Sequence, residues 1–256
     1  MVVLRVFLFQ RCKILPVIPF VRPMASVLLF LFLYSSLAAA HPFDQHPYRA
    51  QIDVAKWEAD GNPFECKLWQ VIPHFGEAVF KARAGEDLRF YLMSQRRFTH
   101  TGQGKIETLS PDWRYDESPE FLGNISVEKG NKPVTLTALL ASRFITALQH
   151  GQFPRFILPG WHQNEKISIE VSSVNFGRGY KEYLDCLSEL LPANFQQMEK
   201  SLVLFDTDQA VIKPAFEERL EWVWKYLNAD PLILIKISGH TDDVGKNLYN
   251  WHLSKR

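Results

Sequence analysis

An excess of charge of one sign, a long hydrophobic run and abundant cysteine are all missing from this chain of 256 residues. Its 29 Lys and Arg nearly balance 28 Asp and Glu, which leaves a formal net charge of +1. Nucleic-acid-binding proteins carry a clustered basic excess, so we expect no nucleic-acid partner. The apolar run VLLFLFLY, residues 27–34, is too short to span a bilayer as a helix.

Catalytic motifs are missing as well. The sequence contains no Ser-His-Asp or Cys-His arrangement at an identifiable spacing, no paired zinc ligands and no phosphate-binding loop. His240, Asp242 and His252 are candidate zinc ligands by residue type, but their spacing fits no zinc pattern. We therefore predict a protein that is not an enzyme and uses no cofactor or metal.

The first 40 residues have the layout of a secretory signal peptide. Basic residues precede the apolar run, and Ala38 and Ala40 follow it at the −3 and −1 positions of a cleavage site. We predict a signal peptide at residues 1–40 and a mature chain that starts at His41. Two alternatives stay open, which are a retained membrane anchor and a translation start at Met24.

The predicted export bears on the three cysteines of the chain, because disulfides form in oxidising compartments. Cys12 lies in the predicted leader, which leaves Cys66 and Cys186 as an even pair in an oxidising compartment. We expect a disulfide between them, and two buried free thiols are the alternative. No cysteine follows the apolar run at a lipoprotein cleavage site, so a lipid anchor is not indicated.

The middle of the chain is dense in strand patterns. KLWQVI (67–72), EAVFKARA (77–84) and LRFYLMS (88–94) are rich in β-branched or aromatic residues and are separated by turn-like segments. Residues 107–121 contain two prolines and are predicted to form a loop, and residues 165–174 alternate as a strand does. Two further segments, 137–151 and 179–192, have the periodicity of helices.

The C-terminal segment reads as a strand, a helix, a strand, a polar turn and the start of a helix. SLVLFDTD (201–208) and LILIKIS (232–238) are the strands, and residues 213–231 form the amphipathic helix between them. The fold class is therefore α+β. A β-rich N-terminal domain at 41–192 is followed by a short linker at 193–200 and a partial βαβ sandwich domain at 201–256.

Three blocks of the C-terminal segment resemble the OmpA-like peptidoglycan-binding domain. They are FDTDQAVIKP (205–214), GHTDDVG (239–245) and NWHLSKR (250–256), in the order and spacing of that family. The preceding region resembles a second family, the MotY N-terminal domain, through residues 65–92, 111–114 and 167–186. Proteins of that family are periplasmic components of sodium-driven polar flagellar motors.

The two resemblances imply a function. They imply a periplasmic structural protein that anchors the flagellar motor to peptidoglycan, with basal-body and stator proteins as partners. Association with the outer membrane or the basal body is part of the same expectation. The alternative is a general OmpA-family protein that stabilises the envelope and has no motor role. The second resemblance also supports the Cys66–Cys186 pairing, because both cysteines lie in matching blocks.

The expected ligand of the turn is diaminopimelate, whose free end carries an ammonium and a carboxylate. The resemblance assigns Asp242 to the ammonium, through a charged hydrogen bond worth roughly 1.5–3 kcal/mol. Thr241, Asp243 and Asn250 are the other predicted peptidoglycan-binding residues of this segment. Asp242 and Asp243 have helix capping as the alternative role. For Asn250 the alternative is holding the turn by hydrogen bonds.

The arginine that completes the family's site has no match in this chain. When the chain is aligned on Leu253-Ser254, that arginine would stand at the position after Arg256. On a helix, the side chain of Arg256 points ~100° away from the direction of that next position. We therefore predict Arg256 as an imperfect substitute, and a C-terminally incomplete domain. His240, Asp206 and Asp208 are predicted to shape the turns, with a place at the ligand as the alternative. Trp222 and Trp224 are predicted to pack, with sugar stacking as the alternative.

Overall fold

A computed structural model describes residues 2–9, 47–110, 118–161 and 165–255. The predicted α+β class is confirmed. The twelve strands are β1 Val2–Phe9, β2 Glu58–Asn62, β3 Glu65–Ile72, β4 Gly76–Arg83, β5 Arg89–Ser94, β6 Gly102–Leu109, β7 Glu120–Val127, β8 Val134–Leu136, β9 Phe153–Pro159, β10 Lys166–Glu170, β11 Lys200–Leu204 and β12 Leu234–Thr241. The helices within the same described ranges are α1 Ala138–Gln149, α2 Phe176–Glu189, α3 Phe195–Met198, α4 Pro214–Ala229 and α5 Asn247–Leu253.

Two antiparallel sheets build the N-terminal domain. One has five strands in the order β2-β3-β4-β5-β8, and the other has four in the order β10-β9-β6-β7. The three strands predicted between residues 67 and 94 are confirmed as β3, β4 and β5. The side chains of β3 and β5 alternate between buried and more exposed positions, as in strands covered on one face.

A cluster of aromatic rings joins the two sheets and α1. Phe90 of the five-stranded sheet lies 4.6 Å from Phe144 of α1 and 5.7 Å from Phe156 of the other sheet, measured between ring centroids. All three side chains are completely buried. These contacts explain why the predicted α1 face, which contains Phe144 and Leu148, points to the core.

Helix α2 packs closely on β2 because glycines stand at the contact. A Cβ at Gly179 would lie 2.8 Å from the Trp57 carbonyl oxygen, and one at Gly61 would lie 2.4 Å from Cys186 Sγ. Cys186 is bonded to Cys66 with a Cα–Cα distance of 6.0 Å, so the predicted disulfide is confirmed. The bond joins α2 to the start of β3.

The predicted loop at residues 107–121 is shorter in the structure. Residues 107–109 belong to β6 and residues 120–121 to β7, while 111–117 lie outside the described residues. The prediction failed at both ends because pairing between β6 and β7 overrides their mixed polarity. Their register shifts between Ile106 and Glu107, which is a β-bulge.

The third sheet combines the two ends of the sequence. Its order is β11-β1-β12, and β1 runs antiparallel to both neighbours, so β11 and β12 are parallel to each other. The predicted order of strand, helix and strand is present as β11, α4 and β12. Strand β1 falls within the predicted leader, whose remaining residues, 1 and 10–40, lie outside the described part of the chain.

Helix α4 covers only part of this third sheet. Val6 of β1, Val203 of β11 and Val223 of α4 are buried, whereas Ile237 of β12 is 61% exposed. Among the described residues, no helix combines the length and apolar character that crossing a membrane requires.

Candidate functional site

The predicted binding turn connects β12 to α5. Gly239 of β12 lies directly beneath the end of α5, where an added Cβ would stand 2.2 Å from the carbonyl oxygen of Ser254. Gly245 has φ of +107°, a backbone conformation that L side chains rarely adopt. Glycine at these two positions therefore allows the sharp return of the chain.

Asn250 closes this turn from inside α5. Its side-chain nitrogen donates to the carbonyl oxygens of Asp242 at 3.2 Å and Val244 at 3.0 Å. The structure therefore gives Asn250 the turn-holding role that stood as the alternative to ligand contact. An amide side chain suits this position because one NH₂ group supplies two donors.

The two aspartates of the turn lie on its exposed side, with Thr241 half-buried beside them. Val2 of β1 pairs with Thr241, so this turn lies at the end of the third sheet where β1 begins.

A loop after β11 contacts α5 through a pair that sequence reasoning missed. The hydroxyl of Tyr249 donates to Asp208, whose backbone has φ of +62°. Asp206 pairs with Lys213 in the same loop. Both aspartates therefore have protein partners and shape the loop, as predicted. Tyr249 had no recognisable signal, because only the fold brings it to Asp208.

The structure gathers four of the five predicted binding residues at one end of the third sheet. Thr241 ends β12, Asp242 and Asp243 lie in the turn, and Asn250 lies in α5. The fifth, Arg256, lies outside the described residues. The described part of the site thus offers carboxylates and a backbone turn, which suits an ammonium-bearing ligand.

The described residues hold no group of three or more His, Cys, Asp or Glu side chains placed to bind a metal ion. A groove of about 540 Å³ lies on the four-stranded sheet, where Lys105, Asn124 and Pro159 are among its lining residues.

The fold and the turn define a two-part α+β protein, in which a disulfide-bonded β-rich domain precedes a short sheet with an exposed acidic turn. The chain belongs to the MotY N-terminal domain family, whose model matches residues 48–192. It is also similar to the sodium-type flagellar protein MotY of Vibrio parahaemolyticus serotype O3:K6 (strain RIMD 2210633). The two are 27% identical over 214 residues, which cover 82% of this chain and 73% of the relative.

Proposed function

We propose that the chain is a periplasmic, non-enzymatic anchor that links the flagellar motor to peptidoglycan. Membership of the MotY N-terminal domain family and the similarity to a flagellar protein support the motor role. The OmpA-like blocks of the C-terminal segment support the wall-binding role. Basal-body and stator proteins are the proposed partners of the N-terminal domain.

One observation carries the wall-binding proposal, which is the setting of the Asp242 carboxylate. It is exposed on a turn that the Asn250 side chain holds by hydrogen bonds to the carbonyl oxygens of Asp242 and Val244. The free end of diaminopimelate presents an ammonium group. A carboxylate that remains charged and exposed can therefore bind the stem peptide by a charged hydrogen bond.

The proposed location rests on the leader and on the disulfide. Disulfides persist in the periplasm and are rare in the cytoplasm, and Cys66 and Cys186 form one here. The basic residues, apolar run and Ala38-x-Ala40 site supply the export signal. Association with the outer membrane or the basal body belongs to the same proposal.

Sedimentation with purified sacculi tests the proposed ligand. We expect Asp242→Ala to weaken binding by about 10- to 150-fold, because a charged hydrogen bond contributes roughly 1.5–3 kcal/mol. Asp185→Ala, which removes an exposed carboxylate of α2 outside the turn, is the matched control, and its binding should change little. Free meso-diaminopimelate should compete with the parent chain. Equal binding by the Asp242→Ala chain would refute the proposal.

Two further measurements separate this proposal from its rivals. Normal motility after deletion of the gene would favour the general envelope-stabilising role over the motor role, whereas copurification with basal bodies would support the motor role. Steady release of muropeptides from sacculi by the purified chain would show an enzyme.

A further inference from the structure

The segment that connects the two domains is ordered by contacts on both sides. Residues 190–199, here called the joint, overlap the predicted linker at 193–200 and contain α3. Asn194 and Gln197 cap α3 reciprocally, with both side chain–backbone hydrogen bonds at 2.9 Å. At the start of the joint, the backbone N–H of Leu191 donates to the carbonyl oxygen of Pro63 at 2.8 Å.

The turn between β4 and β5 forms a socket for the joint. Gly85 in this turn has φ of +67°, and a Cβ there would stand 2.1 Å from Gln197 Oε1 and 2.8 Å from the Asn194 backbone nitrogen. Gln197 also donates through Nε2 to the carbonyl oxygen of Gly85 at 3.3 Å. A residue larger than glycine at position 85 would therefore push the joint away.

A second hydrophobic core covers the other side of the joint. It contains Ala84 from the N-terminal domain together with Met198 of the joint and Val223 and Tyr226 of α4, all of them buried. The ring of Phe64, at the β2–β3 turn, lies 5.0 Å from that of Tyr226. Buried side chains from both domains thus meet without an intervening polar layer, which favours one fixed arrangement.

Hydrogen bonds from an arginine and the disulfide support the same arrangement. Arg219 of α4 donates to the Ser201 hydroxyl at 3.1 Å and to the carbonyl oxygen of Gln197. The Cys66–Cys186 bond holds the start of β3 against α2, the two elements that flank the socket and the joint.

We propose that the joint is a rigid elbow that fixes the orientation of the wall-binding turn relative to the N-terminal domain. The role of this elbow rests on the proposed function. A rigid connection transmits force between the wall and the motor directly, whereas a flexible linker would have to extend first. The rigidity itself is a property of the chain alone and is measurable without ligand.

Distance measurements between the domains test the rigidity. Spin labels are attached to Leu139→Cys on α1 and Trp224→Cys on α4, whose parent side chains are 65% and 64% exposed, in the full chain with Cys12→Ser. Double electron–electron resonance should give one narrow distance distribution. Gly85→Ala should broaden and shift it, because the added Cβ collides with Gln197 and Asn194.

Gly151→Ala is the matched control. Gly151 has a similar positive φ of +76°, but nothing lies within 4 Å of its added Cβ, so the substitution brings the same backbone strain without a collision. Gln197→Ala serves as a second disruptive variant, and formation of the Cys66–Cys186 bond reports folding. A broad distribution in the parent chain, or one in Gly85→Ala as narrow as in Gly151→Ala, would overturn the proposal.

Sacculus sedimentation of the same variants distinguishes a failure of this inference from a failure of the proposed function. Gly85→Ala should still bind sacculi as the parent does, because the Asp242 turn lies outside the joint. If the parent itself does not bind sacculi, the wall-binding function fails, whereas the width of the distance distribution still decides the rigidity of the joint.

Discussion

Three charged residues lie side by side across the four-stranded sheet. Arg155 of β9 is directly opposite Glu107 of β6 on one side and Glu170 of β10 on the other. Both carboxylates are more than nine-tenths buried, and the Arg155 Nε donates to Glu107 Oε1 at 2.7 Å. Because a buried carboxylate is costly without partners, this arrangement depends on the arginine between them.

The pKa of Glu107 makes this arrangement sensitive to acid. Burial raises the pKa, but hydrogen bonds from Lys105 and Arg155 outweigh burial and lower the pKa below its ordinary value of 4.5. A lowered carboxyl pKa contributes stability above pH 4.5 that is lost as the pH falls through the folded-state value. We expect Glu107→Gln to lose about 1–2 kcal/mol at pH 7 and to show a flatter decline in acid.

Urea unfolding between pH 3 and pH 7 checks this prediction. Glu77→Gln is the matched control, because Glu77 pairs with Lys67 at 3.5 Å on the partly exposed face of the other sheet. The control should keep the acid decline of the parent chain. An unchanged decline in Glu107→Gln would show that Glu107 is not the acid-sensitive group.

At the residue scale, the sequence predicted the residues of the turn better than the residues whose contacts hold the surrounding structure in place. Asp242 and the glycines stood out because a strand, a polar turn and a helix start follow one another within a few residues. Arg155 and Tyr249 carried no such signal. Their partners lie across strands or 41 positions away in sequence, and only the folded chain brings them together.

At the element scale, strand β1 is the clearest departure from sequence-based expectation. Its residues read as the start of a leader, yet they occupy the middle of the third sheet. Val6 is 2% exposed between its neighbours, while the adjacent Arg5 is exposed. Removal of residues 1–40 at the predicted cleavage site would therefore take the middle strand away.

We expect Val6→Asp to destabilise the third sheet of the full chain by about 3 kcal/mol, because it buries an unpaired charge. The matched control is Arg5→Ser, which changes the exposed face of the same strand and should be nearly neutral. Hydrogen exchange of the amides in β11 and β12 measures both variants. Slow exchange of these amides in the Val6→Asp chain would show that β1 does not hold the sheet.

Other strands were missed for a different reason, which is that polar residues, glycines or prolines interrupt their strand patterns. Strand β2, EADGN, is polar, and β6 contains glycines at positions 102 and 104. In β9, prolines stand at positions 154 and 159. Pairing with neighbours determines these strands, whereas β3, β4 and β5 have enough aromatic and β-branched residues to be recognised alone.

At the scale of the whole molecule, the disulfide links two residues that are far apart in the sequence and so closes a long loop. Cys66 and Cys186 are separated by 120 positions, and closing a loop of that length stabilises a fold by about 5 kcal/mol in the chain-entropy model. We expect replacement of both cysteines by serine to lower the free energy of unfolding by about 4–5 kcal/mol.

Denaturant unfolding of the oxidised parent and the double variant measures that difference. Cys12→Ser is the control, because Cys12 takes no part in this bond. If the parent and the double variant unfold at the same denaturant concentration, the bond constrains the unfolded chain less than its loop length predicts.

The pairing of β1 with β12 also affects the nascent chain during synthesis, because the two strands are made far apart in time. Val6 pairs with Ile237, so 237 − 6 = 231 positions separate two neighbours in one sheet. A ribosome that adds roughly 5–20 residues per second needs about 12–46 s to make the second partner after the first has emerged. For that interval the first strand has no β12 to pair with, and it remains accessible to any factor that recognises nascent N-termini.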